Sequence, residues 1–414
     1  MNIKQTLFFL YLMVFINVTH AQPIPMLQAF NKSTLPINYP INRIYNGAGL
    51  KNFFVKLKDL KNYKSGVVRI VHIGDSHIQA DFLSGLMRRN LQAFFGNAGR
   101  GLIFPYQLAR SNAPTDISSR SNVAWQFNRV AHPKIVINSG VSGYVIQTNN
   151  LSVNMDISLR ADENDSSLYF KRLQFFIDSN KTTSWALHAE NNPVAYFINN
   201  DSAAIQDSIA IPAYHEVVLD NFAHQFSLTA LPTNALKSFY GVSLQNNEAG
   251  VLYHTIGVNG ARYDQYNIAP LFWQQLAGLQ ADLYIISLGT NEAQAAIFNE
   301  NDFRQQLSQM VAHIKNINPA AAILITTAAD SFKGKKANNV LKQLNTSLTY
   351  YCNENRLPLW DLYRVTNGYS SCYNWFFKKL MNKDRIHFTA DGYRLQGQLL
   401  FNALAKEYNE SMQP

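Results

Sequence analysis

The chain has 414 residues, 47% of them hydrophobic and 13% aromatic, with 36 Lys and Arg against 27 Asp and Glu for a formal net charge of +9. That apolar content excludes a disordered chain, and the length points to two units or to one unit with a large insertion. A pI near 9.3 admits nucleic acid as a partner, but the basic residues are scattered and cluster only at Lys333-Gly334-Lys335-Lys336, so a basic solvated surface is expected.

The N-terminus reads as an export signal. Lys4 precedes an apolar run, Leu7–Ile16, and Thr19-His20-Ala21 supplies small residues ahead of Gln22, the order of a cleavable signal peptide over residues 1–21. The run is short for a membrane span and no later segment is long enough. The expectation is a periplasmic or secreted protein with no stable membrane insertion; an uncleaved anchor is the alternative. Export argues against nucleic acid and turns the positive charge toward cell wall, acidic polysaccharide or a lipid surface. The two cysteines, Cys352 and Cys372, can form one disulfide in an oxidising compartment or stand as two buried thiols. No metal-ligand spacing involves them.

Residues 22 to about 40 are rich in Pro and Asn and read as an extended lead-in, followed by a possible helix around Phe53–Leu57. Val67–Ile70 has the look of a buried strand. Ile78, Phe82, Leu83, Leu86, Met87, Leu91 and Phe94 are spaced for one helix face. Gly74-Asp75-Ser76-His77 therefore sits where a strand turns into a helix, beside the free N–H groups of the helix start. From about Phe104 to Tyr253 helical periodicity gives way to short runs, among them Ile135–Ile137, Leu151–Leu159, Leu173–Ile177 and Phe239–Leu244, punctuated by Asn, Asp, Ser and Gly. This is the pattern of a β-sandwich or jelly roll.

Strand–helix alternation returns after Tyr253. His254–Ala261 is a strand running into a Gly-rich turn, and Leu283–Leu288 is a buried strand ending in Gly289-Thr290-Asn291-Glu292. A helix capped by Asp302 follows, then strand Ala321–Ala328, helix Ala337–Asn353 and strand Leu357–Leu362. Asp384-Arg385-Ile386-His387 leads into a last helix, Gly392–Tyr408. The rhythm implies a parallel sheet covered by helices, with sites at the carboxyl ends of its strands. The units are then a discontinuous α/β domain, 22–103 with 254–414, and an inserted β-domain, 104–253.

Four polar stretches thus follow strands: Ser76, Gly260, Asn291, and Asp384 with His387. Ser76 has the place of a nucleophile, and His387 that of the base that takes and returns its proton. Asp384 can fix the tautomer of His387. The Ser76 and Gly260 amides and the Asn291 side chain can bind an oxyanion.

In this order the chain resembles the SGNH (GDSL-like) hydrolases. Gly74-Asp75-Ser76-His77 stands at the first block, Val258-Asn259-Gly260-Ala261 at the Gly turn, Gly289-Thr290-Asn291-Glu292 at the Gly-x-Asn block, and Asp384–His387 at the Asp-x-x-His. The resemblance implies a flavodoxin-like three-layer α/β/α fold and acyl-ester hydrolysis with no metal or organic cofactor. It implies nucleophile Ser76, base His387 with Asp384, and oxyanion donors Ser76, Gly260 and Asn291. Gly74, Asp75, His77 and Gly289 support the motifs. His77 replaces a common Leu and Glu292 a common Asp; together with Gly-Thr-Asn-Glu and the β-insertion, Gly-Asp-Ser-His resembles the exported peptidoglycan O-acetylesterases, whose insertion looks like a carbohydrate-binding module.

The function expected is removal of O-acetyl or other short acyl groups from a carbohydrate polymer, peptidoglycan above all. A lipase or thioesterase, and a sugar O-acetyltransferase, share the machinery; a glycan-binding protein on a silent scaffold is the non-enzyme reading. Several further residues have two readings. Asp75 is a second acid or a partner of turn amides. His77 perturbs the nucleophile or is oriented into structure. His72 is a hydrogen-bonded core residue. Asp330 and Lys333–Lys336 rim the site or form a solvated loop.

Overall fold

The computed structural model describes residues 22–28, 36–131, 138–160, 168–178, 184–198, 214–295 and 297–412. The expected signal peptide and the expected strand Ile135–Ile137 lie outside the described residues.

A six-stranded sheet organises the α/β part. Its order is Ile44–Tyr45, Leu359–Trp360, Ala322–Thr326, Leu283–Ser287, Val67–Gly74 and Gly250–Gly257. All neighbours run parallel except the two-residue edge strand Ile44–Tyr45. Helices cover both faces, which is why the central strands are near-continuous apolar runs. On one face Lys51–Tyr63, Phe82–Phe95 and Ala390–Ser411 bury Phe54, Met87, Leu91 and Leu400. On the other, Glu300–Ile317 and Asn339–Glu354 bury Leu307, Ile314 and Leu348. This is a three-layer α/β/α sandwich, as the resemblance implies. Register matters for the site: Gly74 is level with Gly257 on one side and Ser287 on the other. The loops carrying Ser76, Gly260 and Asn291 therefore leave the sheet from one height.

Two antiparallel sheets make the β-part. One has the order Tyr196–Ile198, Trp185–Ala189, Gln225–Ala230, Val153–Leu159 and Ile117–Ser121. The other has the order His215–Ala223, Phe170–Ile177, Lys237–Gln245, Tyr144–Thr148 and Gln126–Arg129, with Gly101–Ile103 also pairing Lys237–Gln245. Phe226 of the first packs edge-on against Phe170 and Phe175 of the second. Alternation along Val153–Leu159, buried at every odd residue, gives the inward face.

Several sequence expectations shift. The chain passes between the two parts earlier than 103/104 and 253/254: Gly101–Ile103 already pairs with the β-part, and the returning parallel strand starts at Gly250. The backbones touch there. A Cβ on Gly99, at φ +125, would lie 2.6 Å from Gln245 Cα, so the crossing point is fixed by a glycine rather than by any change in hydropathy. The long helix expected from Ile78 is two, Ser76–Gln79 and Phe82–Phe95, because Asp81 takes a left-handed turn (φ +58). Asn299, not Asp302, caps the Glu300–Ile317 helix, accepting from the amides of Asn301 and Asp302. Cys352 and Cys372 are both free and buried, in separate core clusters, so no disulfide forms. Asp330 lies in a loop, but not a solvated one: it is buried and accepts from the Cys372 amide at 3.1 Å. Lys333 donates to the Ala295 carbonyl at 2.6 Å; Lys335 and Lys336 are exposed.

Candidate active site

Ser76 is the first residue of its short helix, and Asp75 caps it by accepting from the His77 amide at 2.9 Å. Gly74 permits the tight approach, since a Cβ there would come within 2.4 Å of Ile78 Cγ1 and 3.0 Å of the Ser287 carbonyl. As the opening residue of a helix, Ser76 has no partner one turn earlier for its own N–H. Its Oγ lies 2.7 Å from His387 Nε2, and His387 Nδ1 lies 2.8 Å from Asp384 Oδ2. A ring protonated at Nδ1 donates to Asp384 and leaves Nε2 to accept from the Ser76 hydroxyl.

The loop that carries this pair is held by the aspartate itself. Asp384 Oδ1 accepts from the amides of Ile386 and His387, each at 3.0 Å, in the Asx geometry of a turn. Partial burial pushes the Asp384 carboxyl up, but these amides and the His387 ring outweigh it and hold the carboxyl below its ordinary range. Asp384 therefore stays ionised where it is needed to orient an imidazole.

Ser76, Asp384 and His387 open on a cleft of about 560 Å³ that Gly260, Asn291, Asn112, Asn259 and Asn382 also line, with Phe82, Phe388 and Tyr393 as an aromatic wall. Gly260 is held at φ +83 and its amide makes no hydrogen bond among the described residues. Asn291 stands on the helix Thr290–Gln294 that starts after Gly289. Its side-chain amide donates to Asp75 Oδ2 at 3.2 Å and to the Ala261 carbonyl at 3.0 Å. Both of its N–H groups are thus engaged in the ligand-free site, and binding an oxyanion means giving up the longer bond, to Asp75.

The supporting residues take definite roles. Asp75 is buried and is pushed up to about 7 by that burial, against the pull of the His77 amide. Glu292 accepts from the Tyr263 amide at 2.8 Å and is likewise pushed by burial up to about 7. His77 does not point away from the chemistry: its ring centroid is 5.2 Å from that of His387, and its Nδ1 is 3.1 Å from the Tyr393 hydroxyl. Burial lowers it to about 3, so it stays neutral and backs the base without adding a repelling charge. His72 is a core residue, bonded to the Tyr253 hydroxyl and Ser287 Oγ at 2.8 and 2.7 Å. Asp330 and Lys333–Lys336 do not line the cleft.

Sequence reasoning missed a hub. Gln79, one turn after Ser76, accepts from the Asn259 amide at 2.8 Å and the Tyr144 hydroxyl at 3.0 Å. It donates to Ser111 Oγ at 2.8 Å and the Asn112 carbonyl at 2.7 Å, while Asn259 reaches Asn112 Oδ1 at 2.6 Å. One buried amide so ties the Gly260 turn to the nucleophile helix and to the β-part, which contributes Asn112 to the cleft wall. A polar residue at i+3 from a candidate nucleophile was a usable signal; nothing in the sequence marks Asn112.

Residues 207–395 match the profile of the GDSL-like Lipase/Acylhydrolase family. That span of the chain is similar to the GDSL-like acylhydrolases, as the sequence motifs are. The chain is by class a carboxylic ester hydrolase. The profile match takes in Gly260, Asn291, Asp384 and His387 and leaves out Ser76, which lies on the far side of the β-part. Among solved structures, one described as "Peptidoglycan O-acetylesterase in action, 5 min" aligns with TM-score 0.69 at 22% identity, over 86% of this chain and 96% of that one. A lipase/acylhydrolase from Enterococcus faecalis aligns over 38% of this chain and 77% of its own, at 19% identity and TM-score 0.30. A family two carbohydrate esterase from Cellvibrio japonicus covers 72% and 100% at 10% identity and TM-score 0.29. No curated protein matches the sequence. The first of these structures shares the fold across both parts of the chain.

Proposed function

We propose that the protein is an exported serine esterase that removes O-acetyl groups from a carbohydrate polymer, with peptidoglycan as the first candidate. The observation that carries this reading is the Ser76–His387–Asp384 line, at 2.7 and 2.8 Å, opening on a cleft walled by asparagine amides and aromatic rings. Asparagine amides pair with sugar hydroxyls and ring faces stack on sugars, whereas a long acyl chain asks for an apolar channel. The likeness in fold to a peptidoglycan O-acetylesterase supports the polymer, and the N-terminal segment of the sequence supports export.

In the reaction Ser76 Oγ attacks the acetyl carbonyl carbon while its proton passes to His387 Nε2. The negative oxygen is received by the Ser76 and Gly260 amides and by Asn291, released from Asp75. Asp384 stabilises the imidazolium without taking its proton. Collapse breaks the bond to the sugar oxygen, which leaves with the proton from His387. Water then attacks the acetyl-enzyme, with His387 as base, and frees acetate and Ser76. Acetate release from O-acetylated peptidoglycan or xylan, wild type against Ser76→Ala, is the test; a loss of about 10⁴-fold is expected. Equal release by both proteins removes Ser76 from the mechanism. On p-nitrophenyl esters, activity that fails to fall beyond short acyl chains turns the reading to a lipase or thioesterase.

A further inference from the structure

A second cleft, of about 570 Å³, adjoins the first and shares Ala80 and Phe82 with it. Tyr393 lines the first cleft and its neighbour Arg394 the second. Arg394 is pinned at the boundary, with its guanidinium carbon 5.6 Å from the Phe82 ring centroid and its Nη1 2.9 Å from Asp391. Arg89 and Arg160 also line this space. Both are exposed, and neither side chain has a carboxylate partner among the described residues. Two acids, Asp81 and Asp116, face the same cleft, but each is already matched. Arg100 sits 2.8 Å from Asp81 and 2.5 Å from Asp116, and Arg88 stands 3.5 and 3.6 Å from the same pair. With those charges balanced from behind, the surplus of the wall among the described residues is positive. Exposed arginines repel one another only weakly through water, but their planar forks suit carboxylates.

We propose that this second cleft is a carboxylate-binding subsite, which takes the acidic groups that a glycan carries beside its acetylated sugar. The inference rests on the esterase reading above and narrows its substrate to acidic glycans. An acetyl ester seated at Ser76 places the neighbouring part of the polymer across Phe82, within reach of Arg394 and then of Arg160 and Arg89. A neutral polymer such as acetylated xylan gains nothing from these groups.

The test uses the whole protein and one matched pair of substrates: O-acetylated peptidoglycan fragments, and the same fragments with their carboxyls converted to amides. The expected result is a preference in kcat/KM of about five- to tenfold for the acidic fragments at low salt, the scale of a few exposed charge pairs. That preference shrinks at 0.5 M salt, as exposed pairs are screened at a Debye length of only about 4 Å. In the Arg89→Gln/Arg160→Gln double variant it falls toward unity, with thermal unfolding checked to show that the variant is folded. No preference in the wild type, or a preference the double variant keeps, overturns the subsite while leaving the esterase intact. Loss of acetate release from both fragments and from p-nitrophenyl acetate in the wild type instead overturns the esterase reading, and the subsite with it.

Discussion

Two charged assemblies lie close together in this molecule and are built in opposite ways. Ser76, His387 and Asp384 form a line whose histidine and aspartate side chains are 36% and 49% exposed. Asp81, Arg88, Arg100 and Asp116 form a second assembly in which both arginine side chains are 1% exposed. The first sits at the mouth of a cleft, on a turn whose backbone is fixed by the aspartate itself, where the proton transfers proposed for it can reach a substrate. The second holds surfaces together. It joins the left-handed turn at Asp81, the long helix, and the segment that leaves for the β-part, and Thr255 of the returning strand donates to Asp81 at 2.9 Å. Contact chemistry is similar in both; access to water separates them.

That contrast can be broken experimentally. The largest effect is expected at His387→Ala: acetate release drops about 10⁴-fold, while the unfolding temperature stays near that of the wild type, because little buried structure depends on an exposed ring. Replacing Arg100 by Met should do the reverse. The buried Asp81 and the half-buried Asp116 lose their nearest cation, which costs about 3–5 kcal/mol, read as a lowered denaturation midpoint with near-normal turnover by the folded fraction. The pH dependence of the buried assembly follows from Asp116, which loses to burial but is pulled down to about 2 by Arg100 and Arg88. A carboxyl depressed on folding adds stability above its ordinary value near 4, and that stability fades as pH falls from about 4 to 2; Asp116→Asn should flatten denaturation midpoints in that window.

A smaller rate effect is expected at Asn291→Ala, about 10²–10³-fold in kcat, with KM little changed. If its amide never leaves Asp75, the loss will instead be slight. The least effect is expected at Asp75→Asn. Burial raises Asp75 to about 7, so the folded protein keeps a proton that the unfolded chain gives up near pH 4, and wild-type stability declines as pH rises from about 4 to 7. The variant should lack that slope, a difference of about 2–4 °C in unfolding temperature between pH 5 and 8.

The α/β part was the more legible half of the sequence, for a physical reason. Its strands are apolar runs and its helices keep a 3.6-residue stripe, so Val67–Gly74, Leu283–Ser287 and the last helix stand out. The polar residues breaking those patterns at strand ends are the ones that meet in the cleft. What escaped reading was set by backbone contact or by long-range pairing. The helix break at Asp81 depends on arginines that follow it by 7 and 19 residues. Asn112 enters the cleft only because Gln79 and Asn259 hold its loop. Trp185–Ala189 and Ile117–Ser121 carry no strong strand pattern; the first finds its place between two neighbours and the second at the sheet edge, against Val153–Leu159 alone. His77 admits two readings in the sequence, and only a bond to Tyr393, more than 300 residues along the chain, settles that it stands against the His387 ring.

The pairing of Val67–Gly74 with Gly250–Gly257 also sets an order of assembly. These strands run side by side although roughly 180 residues separate them, a loop that is slow to close unless the intervening chain has already become compact. The strand that presents Ser76 is made early in synthesis yet acquires its neighbour only after the whole β-part has emerged and brought the chain back to Gly250. Folding of the sandwich then becomes the timing step for the enzyme: refolding that monitors β-structure should precede the return of esterase activity, and a chain arrested before Gly250 should hold a serine with no active site around it.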